Sequence, residues 1–137
     1  MPTPQIALIT ILTDDVPRLV AFYREALGFT LKDPASEGDT NYVEFTPSSV
    51  RFAICARSVM FDATEDATYR QPHQGESFEL AFPCADAVEV DATYAALLAK
   101  GARPIHPPTR MPWGQYTAFF ADPDGNIHEI FADAPTG

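Results

Sequence analysis

Apolar and polar residues follow first a strand-like and then a helix-like spacing in the opening part of the chain. Residues 5–13 are apolar and β-branched, which predicts a strand buried on both faces. From Asp14 to about Leu27 apolar residues recur at three-and-four spacing, and Gly28 supplies the stop of a helix. Three further strands are predicted after it, at 29–32, 40–46 and 50–57. The pattern therefore predicts one βαβββ unit.

The same order recurs in the second half of the chain. Ile9 and Ile11 have counterparts 71 positions later in Leu80 and Phe82, which indicates an internal repeat. The repeat predicts a strand at 77–84, a helix from Asp86 to about Lys100, and strands at 103–106, 114–121 and 127–132. Pro104, Pro107, Pro108 and Pro112 predict a stiff connection around and after the short strand at 103–106.

We therefore predict one α+β domain over residues 1–137. Its first module covers about 5–57 and its second about 77–132, and residues 58–76 form a loop or short helix that crosses between them.

Composition and charge narrow the class of partner. The 137 residues are 46% hydrophobic, which suffices for one core, and the net charge of −10 argues against nucleic acid or an anionic membrane as a partner. A cationic ligand is compatible with that charge. No apolar run reaches the roughly 18 residues of a membrane span, and no signal segment precedes the first strand, so we expect a cytoplasmic protein. Cys55 and Cys84 lack metal-site spacing and are expected to be reduced thiols.

Two motifs, at this spacing, resemble those of a known superfamily. The segment 21–29 reads AFYREALGF, and PWGQ at 112–115 is followed by DPDGN at 122–126 and by Glu129. In these motifs the chain resembles the vicinal oxygen chelate superfamily, which includes glyoxalase I, extradiol dioxygenases, fosfomycin resistance enzymes and bleomycin resistance proteins. The resemblance implies two βαβββ modules forming an open curved sheet with helices on the outer face. It also implies a homodimer with a ligand or metal inside the cup.

The metal ligands of the family map onto this chain incompletely. The matching positions are Leu8 on the first strand, Glu79 in the second module and Glu129 on the last strand. A leucine has no donor atom, and three ligands are the usual minimum for a catalytic metal. Glu44 or His73 could complete a set if their side chains face the cup. We therefore favour a site without a metal.

Two carboxylates in a partly apolar cup need compensation, because a buried charge is costly unless it is paired, hydrated or protonated. A cationic ligand is one source, and Arg51, Arg57 or Arg110 is another. Strand alternation predicts that Leu8 and Leu12 face the cup. Trp113 and Tyr116 are candidates for flat walls against a planar ligand, although core or dimer packing would also explain them.

Three functions fit these observations. The favoured one is a metal-free binding protein of the bleomycin-resistance type that sequesters a planar, cationic small molecule through Leu8, Leu12, Glu79, Trp113, Tyr116 and Glu129. The alternative is a lyase or isomerase resembling lactoylglutathione lyase, in which Glu79 and Glu129 hold Zn, Ni, Mn or Fe, with Glu44 or His73. A third is a metal-free enzyme with Glu79, at a raised pKa, as general acid or base.

Overall fold

The computed structural model describes residues 3–72 and 77–133, and these divide into two compact units, Met1–His73 and Gln74–Gly137. The predicted α+β class is confirmed. The strands form a three-stranded sheet in the first unit and a four-stranded sheet in the second. None of the helices within the described ranges has the length and apolar content that a bilayer crossing requires.

The first unit contains three strands in the order β1-β3-β2 and two helices. Its elements are β1 (Leu8–Thr13), α1 (Val16–Glu25), β2 (Tyr42–Phe45), β3 (Arg51–Ala56) and α2 (Arg57–Thr64). β1 pairs with β3 in parallel, and β2 pairs with β3 antiparallel. The crossing segment predicted over 58–76 is thus partly helical, and α2 is followed by a 3-10 turn at Ala67–Arg70.

Local sequence signals explain the limits of α1. The Asp15 side chain accepts a hydrogen bond from the Arg18 backbone N–H at 3.1 Å and caps the helix, and Gly28 adopts a positive φ of 76° beyond its end. The strand predicted at 29–32 is reduced to one bridge between Leu31 and Phe45, because Pro34–Ser36 turns the chain away after a few residues.

Tyr23 of α1 is fully buried and anchors the helix to one face of its sheet. Its ring lies 5.4 Å from that of Phe52 and 6.3 Å from that of Phe45. In the register of the sheet, Ile9 and Ile11 lie beside Phe52 and Ile54 on this face, as the alternation predicts. The opposite face of the sheet is left to Leu8, Thr10 and Leu12.

The second unit repeats the order of elements in the first. The strand that follows its helix is complete, whereas the corresponding strand of the first unit, predicted at 29–32, is reduced to one bridge. Its elements are β4 (Ala81–Pro83), α3 (Ala87–Ala99), β5 (Arg103–Arg110), β6 (Gln115–Ala121) and β7 (Ile127–Asp133). The sheet order is β4-β7-β6-β5, with β4 and β7 parallel and the other pairs antiparallel. Asp86 caps α3 by accepting from the Glu89 N–H at 2.8 Å, and Val90, Tyr94 and Leu97 bury its inner side.

The prediction that residues 107–112 form a stiff connection is wrong. β5 continues to Arg110, with register shifts between Pro104 and His106 and between His106 and Thr109. β5 lies at the edge of its sheet, where a proline without an N–H interrupts no ladder on the outer side, so prolines are tolerated.

The turn between β6 and β7 fixes which residues face each other. Asp122 is buried, and its carboxylate accepts from the backbone N–H groups of Asp124 and Asn126 at 3.0 and 2.9 Å and from the Asn126 side-chain amide at 2.8 Å. This turn centres the hairpin on Asp124. As a result Phe119 pairs directly with Glu129.

Candidate functional site

The two carboxyl groups predicted to act together, those of Glu79 and Glu129, interact with each other in the second unit. β4 and β7 bring them together: Ala81 pairs with Glu129, and the Glu129 N–H donates to the Leu80 carbonyl at 2.9 Å. Burial raises the pKa of Glu129, and the negative charge of Glu79 raises it further. The proton on Glu129 is therefore held more tightly than on an isolated glutamate.

Two aromatic rings lie beside Glu129 on one face of β6 and β7. Phe119 lies directly across from Glu129, and Phe131 lies two residues farther along β7 on the same side. Both rings are partly exposed. Glu129, which is partly exposed, therefore lies beside apolar aromatic surface, and Glu79 is exposed.

Thr117 adds a polar atom to the same face. It pairs with Phe131 in the register of β6 and β7, so its side chain lies on the side of Phe119 and Glu129. The residue is fully buried, and its hydroxyl has no hydrogen-bond partner within the described part of the chain. An orphaned buried hydroxyl is costly, by about 1–3 kcal/mol.

The two aromatic residues predicted as walls of the site differ in position. Trp113 lies in the β5–β6 turn with its side chain 60% exposed, and its indole N–H donates to the Gln115 side-chain oxygen at 3.0 Å. Tyr116 pairs with Ala132 on the side of the sheet that carries α3, and its hydroxyl donates to Asp91 of that helix at 2.7 Å. Trp113 is free to stack on a ligand, whereas Tyr116 lies on the face opposite Glu129.

In the first unit the corresponding face carries no carboxylate on β1 or β3. Leu8 pairs with Arg51 and Leu12 pairs with Cys55, and both leucines are half-buried. Thr10, which matches Ala81 at the repeat offset of 71, pairs with Ala53. Ala53 therefore stands in the first unit where Glu129 stands in the second.

In the first unit the carboxylate on this face belongs to Glu44, which lies on β2, the strand next to β3. It pairs with Ala53, so its side chain lies on the face of Leu8 and Leu12. Both oxygens are already bonded: Arg51 donates at 2.9 and 2.8 Å, the Tyr42 hydroxyl at 2.8 Å and the Lys32 ammonium at 3.1 Å. These donors, Arg51 first, lower the pKa of Glu44 to about 2.

The donor set does not fit a divalent metal. Leu8 offers no ligand atom, and the oxygens of Glu44 are taken by cations and a phenol. Over residues 3–72 and 77–133, no group of three or more His, Cys, Asp or Glu side chains is placed to hold an ion. His73, the other predicted contributor, lies outside the described residues.

The two described histidines have other partners. His128 is buried on the α3 side of its sheet, where its Nδ1 accepts from the Leu80 N–H at 3.1 Å, as expected for a neighbour of Glu129 in a strand. His106 is exposed, with its Nδ1 3.0 Å from the Pro107 carbonyl oxygen.

Two of the three arginines that were candidates to pair with the carboxyls of Glu79 and Glu129 have other partners, both in the first unit. Arg51 binds Glu44, and Arg57 lies 3.6 Å from Asp14 and donates to the carbonyls of Thr68 and Gln71. Within the described ranges neither carboxyl of the Glu79 and Glu129 pair is bonded to a lysine or arginine.

The residues predicted for the site did not include Phe119, Phe131 or Thr117. A signal for them was present, because the DPDGN turn is symmetric about Asp124 and residues at equal distances from its centre pair across the hairpin. Glu129 and Phe119 each lie five positions from Asp124. Alternation from Glu129 then reaches Phe131 and, across the strand, Thr117.

Two units with the order βαβββ, each with its long helix on one face of its own sheet, define the class of this protein. A comparison of the sequence with family models matches residues 5–130 to the Glyoxalase/Bleomycin resistance protein/Dioxygenase superfamily. The chain belongs to that superfamily, as the motif resemblance predicted.

Individual relatives agree with this assignment. The chain is 29% identical over 125 residues to the uncharacterized protein YraH of Bacillus subtilis, covering 90% of this chain and 94% of that one. A crystal structure of a glyoxalase/bleomycin resistance protein/dioxygenase from Nocardioides matches with a TM-score of 0.85 at 26% identity, covering 100% of this chain and 88% of that one. A family enzyme from Burkholderia phytofirmans matches with a TM-score of 0.82 at 22% identity, covering 95% of this chain and 99% of that one, and supports the fold.

Proposed function

We propose that this protein is a binding protein of the bleomycin-resistance type, which sequesters a small planar cation without a catalytic metal. The observation that carries the proposal is the interaction of two carboxyl groups, those of Glu79 and Glu129, on one face of the second unit, where burial and the neighbouring charge raise the pKa of Glu129. A cation that binds beside both groups gains two carboxylates at once and removes the repulsion between them.

The surroundings of the pair favour a planar ligand with N–H donors. Phe119 and Phe131 offer flat rings on either side of Glu129, and a cation over such a ring gains cation–π attraction. An aromatic amidine or guanidine combines the plane, the charge and the donors. Trp113 offers a further ring for a larger ligand.

Benzamidine and its uncharged counterpart benzamide test the proposal directly. We expect saturable binding of benzamidine with a dissociation constant of about 1 mM or tighter, and no binding of benzamide. Near neutral pH, titration calorimetry in buffers of different ionisation enthalpy should show release of a proton on binding. Glu129→Gln and Glu79→Gln should each weaken binding about tenfold or more, whereas Glu25→Gln, on the exposed side of α1, should not. Equal affinity for benzamidine and benzamide, or no effect of Glu129→Gln, would overturn the proposal.

A second candidate function uses the same raised pKa for catalysis. A carboxyl group whose pKa is raised by burial can act as a general acid or base near neutral pH without a metal. The raised pKa belongs to Glu129, so Glu129 is the acid–base group in this version. Incubation of 2-hydroxy and 2-oxo acids in D2O separates the two functions. Deuterium incorporation at a carbon next to a carbonyl, lost in Glu129→Gln, supports the enzyme.

A further inference from the structure

The cluster around Glu44 in the first unit contains more positive than negative charge. The carboxylate is 9% exposed and receives four hydrogen bonds, two from Arg51 and one each from Lys32 and Tyr42. A carboxylate has about four lone-pair sites, so Glu44 is saturated. One anion is thus matched by two cations, in a chain whose net charge is −10.

The two cations keep donors that Glu44 does not use. Arg51 binds Glu44 through Nε and Nη2, which leaves Nη1 of a guanidinium that has five N–H groups. Lys32 donates one of its three N–H groups to Glu44. Both side chains are about half exposed, at 49% for Arg51 and 53% for Lys32, so the remaining donors can reach a ligand.

Glu44 fixes the direction in which these donors point. Its bidentate contact holds the Arg51 guanidinium in one plane. The Lys32 backbone N–H donates to the Glu44 carbonyl at 3.0 Å, which places Lys32 beside Glu44 and lets its ammonium reach the carboxylate. A binding site formed in advance loses less side-chain entropy when the ligand arrives.

We propose that Lys32 and Arg51 form a binding site for the oxyanion of a small molecule, a carboxylate or a phosphate, with Glu44 as the residue that positions both cations. The planar guanidinium fork matches either group, and the ammonium adds a second charge-assisted hydrogen bond. The site lies entirely on the first unit and uses none of the residues of the carboxyl pair in the second, so it stands or falls independently of the proposed cation site.

Sodium phosphate and sodium acetate are the probes, each titrated separately at low and constant ionic strength into the full chain. The readout is the NMR chemical shift of the Arg51 side-chain Nε–H. We expect saturation in the millimolar range. Saturation by both anions, or by one, supports the site and states whether it takes carboxylates, phosphates or either. No saturable shift with either anion overturns it.

Three variants sharpen the test. Lys32→Gln leaves Arg51 and Tyr42 on Glu44, so it keeps the fold, and we expect it to weaken anion binding about fivefold. Arg51→Gln together with Glu44→Gln removes the fork without leaving a buried charge, and should abolish saturation as followed by backbone amide shifts of β2 and β3. Arg103→Gln, a matched loss of positive charge on β5, should leave binding unchanged. An equal loss in Arg103→Gln and Lys32→Gln would mean general charge attraction and would overturn the proposal.

Discussion

Ala53 occupies in the first unit the register position that Glu129 occupies in the second. Ala53 pairs with Thr10 of β1, and Glu129 pairs with Ala81, which follows Thr10 by the repeat offset of 71. The duplicated architecture thus carries its carboxylates in different places. In the second unit two carboxyl groups lie together and the pKa of Glu129 is raised, whereas in the first unit a single carboxylate, that of Glu44, is bonded to two cations. Each arrangement leads to measurable consequences.

Glu129→Gln should make the protein more stable at neutral pH. The pKa of Glu129 is raised above its ordinary value of 4.5, so the native state holds the proton more tightly than the unfolded chain. Stability from this group is present below about pH 4.5 and is lost as the pH rises through the raised pKa. Glutamine keeps a hydrogen bond to Glu79 without that loss. Urea unfolding between pH 4 and 8 measures the free energy of unfolding of wild type and Glu129→Gln, with Glu25→Gln as the control. The same dependence of that free energy on pH in wild type and Glu129→Gln would contradict the prediction.

Glu44→Gln should have the opposite pH signature. The pKa of Glu44 is lowered to about 2, so its contribution is present above pH 4.5 and lost as the pH falls toward 2. At pH 7 the substitution should lower the free energy of unfolding by about 1–3 kcal/mol, because the bonds from Arg51 and Lys32 lose their charged acceptor. The difference between wild type and variant should shrink on acidification. A difference that is constant from pH 7 to pH 2.5 would show that the carboxylate charge is not involved.

Thr117→Val should separate stability from binding. Valine has nearly the same shape and removes the orphaned hydroxyl, which should stabilise the fold by about 1 kcal/mol. The hydroxyl is fully buried and out of reach of a ligand, so benzamidine affinity should stay the same. Thermal unfolding and a benzamidine titration give the two values. Thr117→Ser, which keeps the hydroxyl, should not gain stability, and a valine variant no more stable than wild type would contradict the prediction.

Phe119→Ala and Tyr116→Phe should differ in their effects although the residues are close in sequence. Phe119 lies on the face of Glu129, so its loss should weaken benzamidine binding about tenfold. Tyr116 donates to Asp91 on the other face, and its loss should lower stability by about 1 kcal/mol while the affinity stays the same. The comparison uses calorimetric titration and urea unfolding of both variants. A loss of affinity in Tyr116→Phe would mean that both faces of the sheet contribute.

Chelators should leave ligand binding unchanged. The described donors do not form a metal site, so dialysis against EDTA should neither alter benzamidine affinity nor lower the melting temperature. Elemental analysis of the purified protein completes the measurement. A stoichiometric divalent ion whose removal abolishes binding would favour the lyase or isomerase alternative with Glu79 and Glu129 as ligands.

The fold could be predicted because its signals are local. Helix limits followed from Asp15, Asp86 and Gly28, each of which acts within one turn of its own position. The length of β5 could not be predicted, because a proline that ends a central strand is tolerated at an edge. Whether a strand lies at an edge depends on the order of the whole sheet.

The site was predictable to the extent that it depends on alternation. Glu79 and Glu129 were named together because both match ligand positions of the family that the chain resembles, but the state of the pair depends on burial and on where nearby arginines point. Arg51 was a candidate partner for these carboxyls and instead binds Glu44 within its own sheet. Side-chain partners that come from separate strands are set by register, which the sequence encodes only through the turns that connect them.

The prolines of β5 have a consequence for self-association. Pro104, Pro107 and Pro108 leave the rim of the four-stranded sheet without a continuous row of N–H donors. A strand from another molecule that approached this edge could not form a regular ladder of hydrogen bonds. The proline residues, rather than surface charge, therefore oppose fibril-like growth from this edge of the sheet.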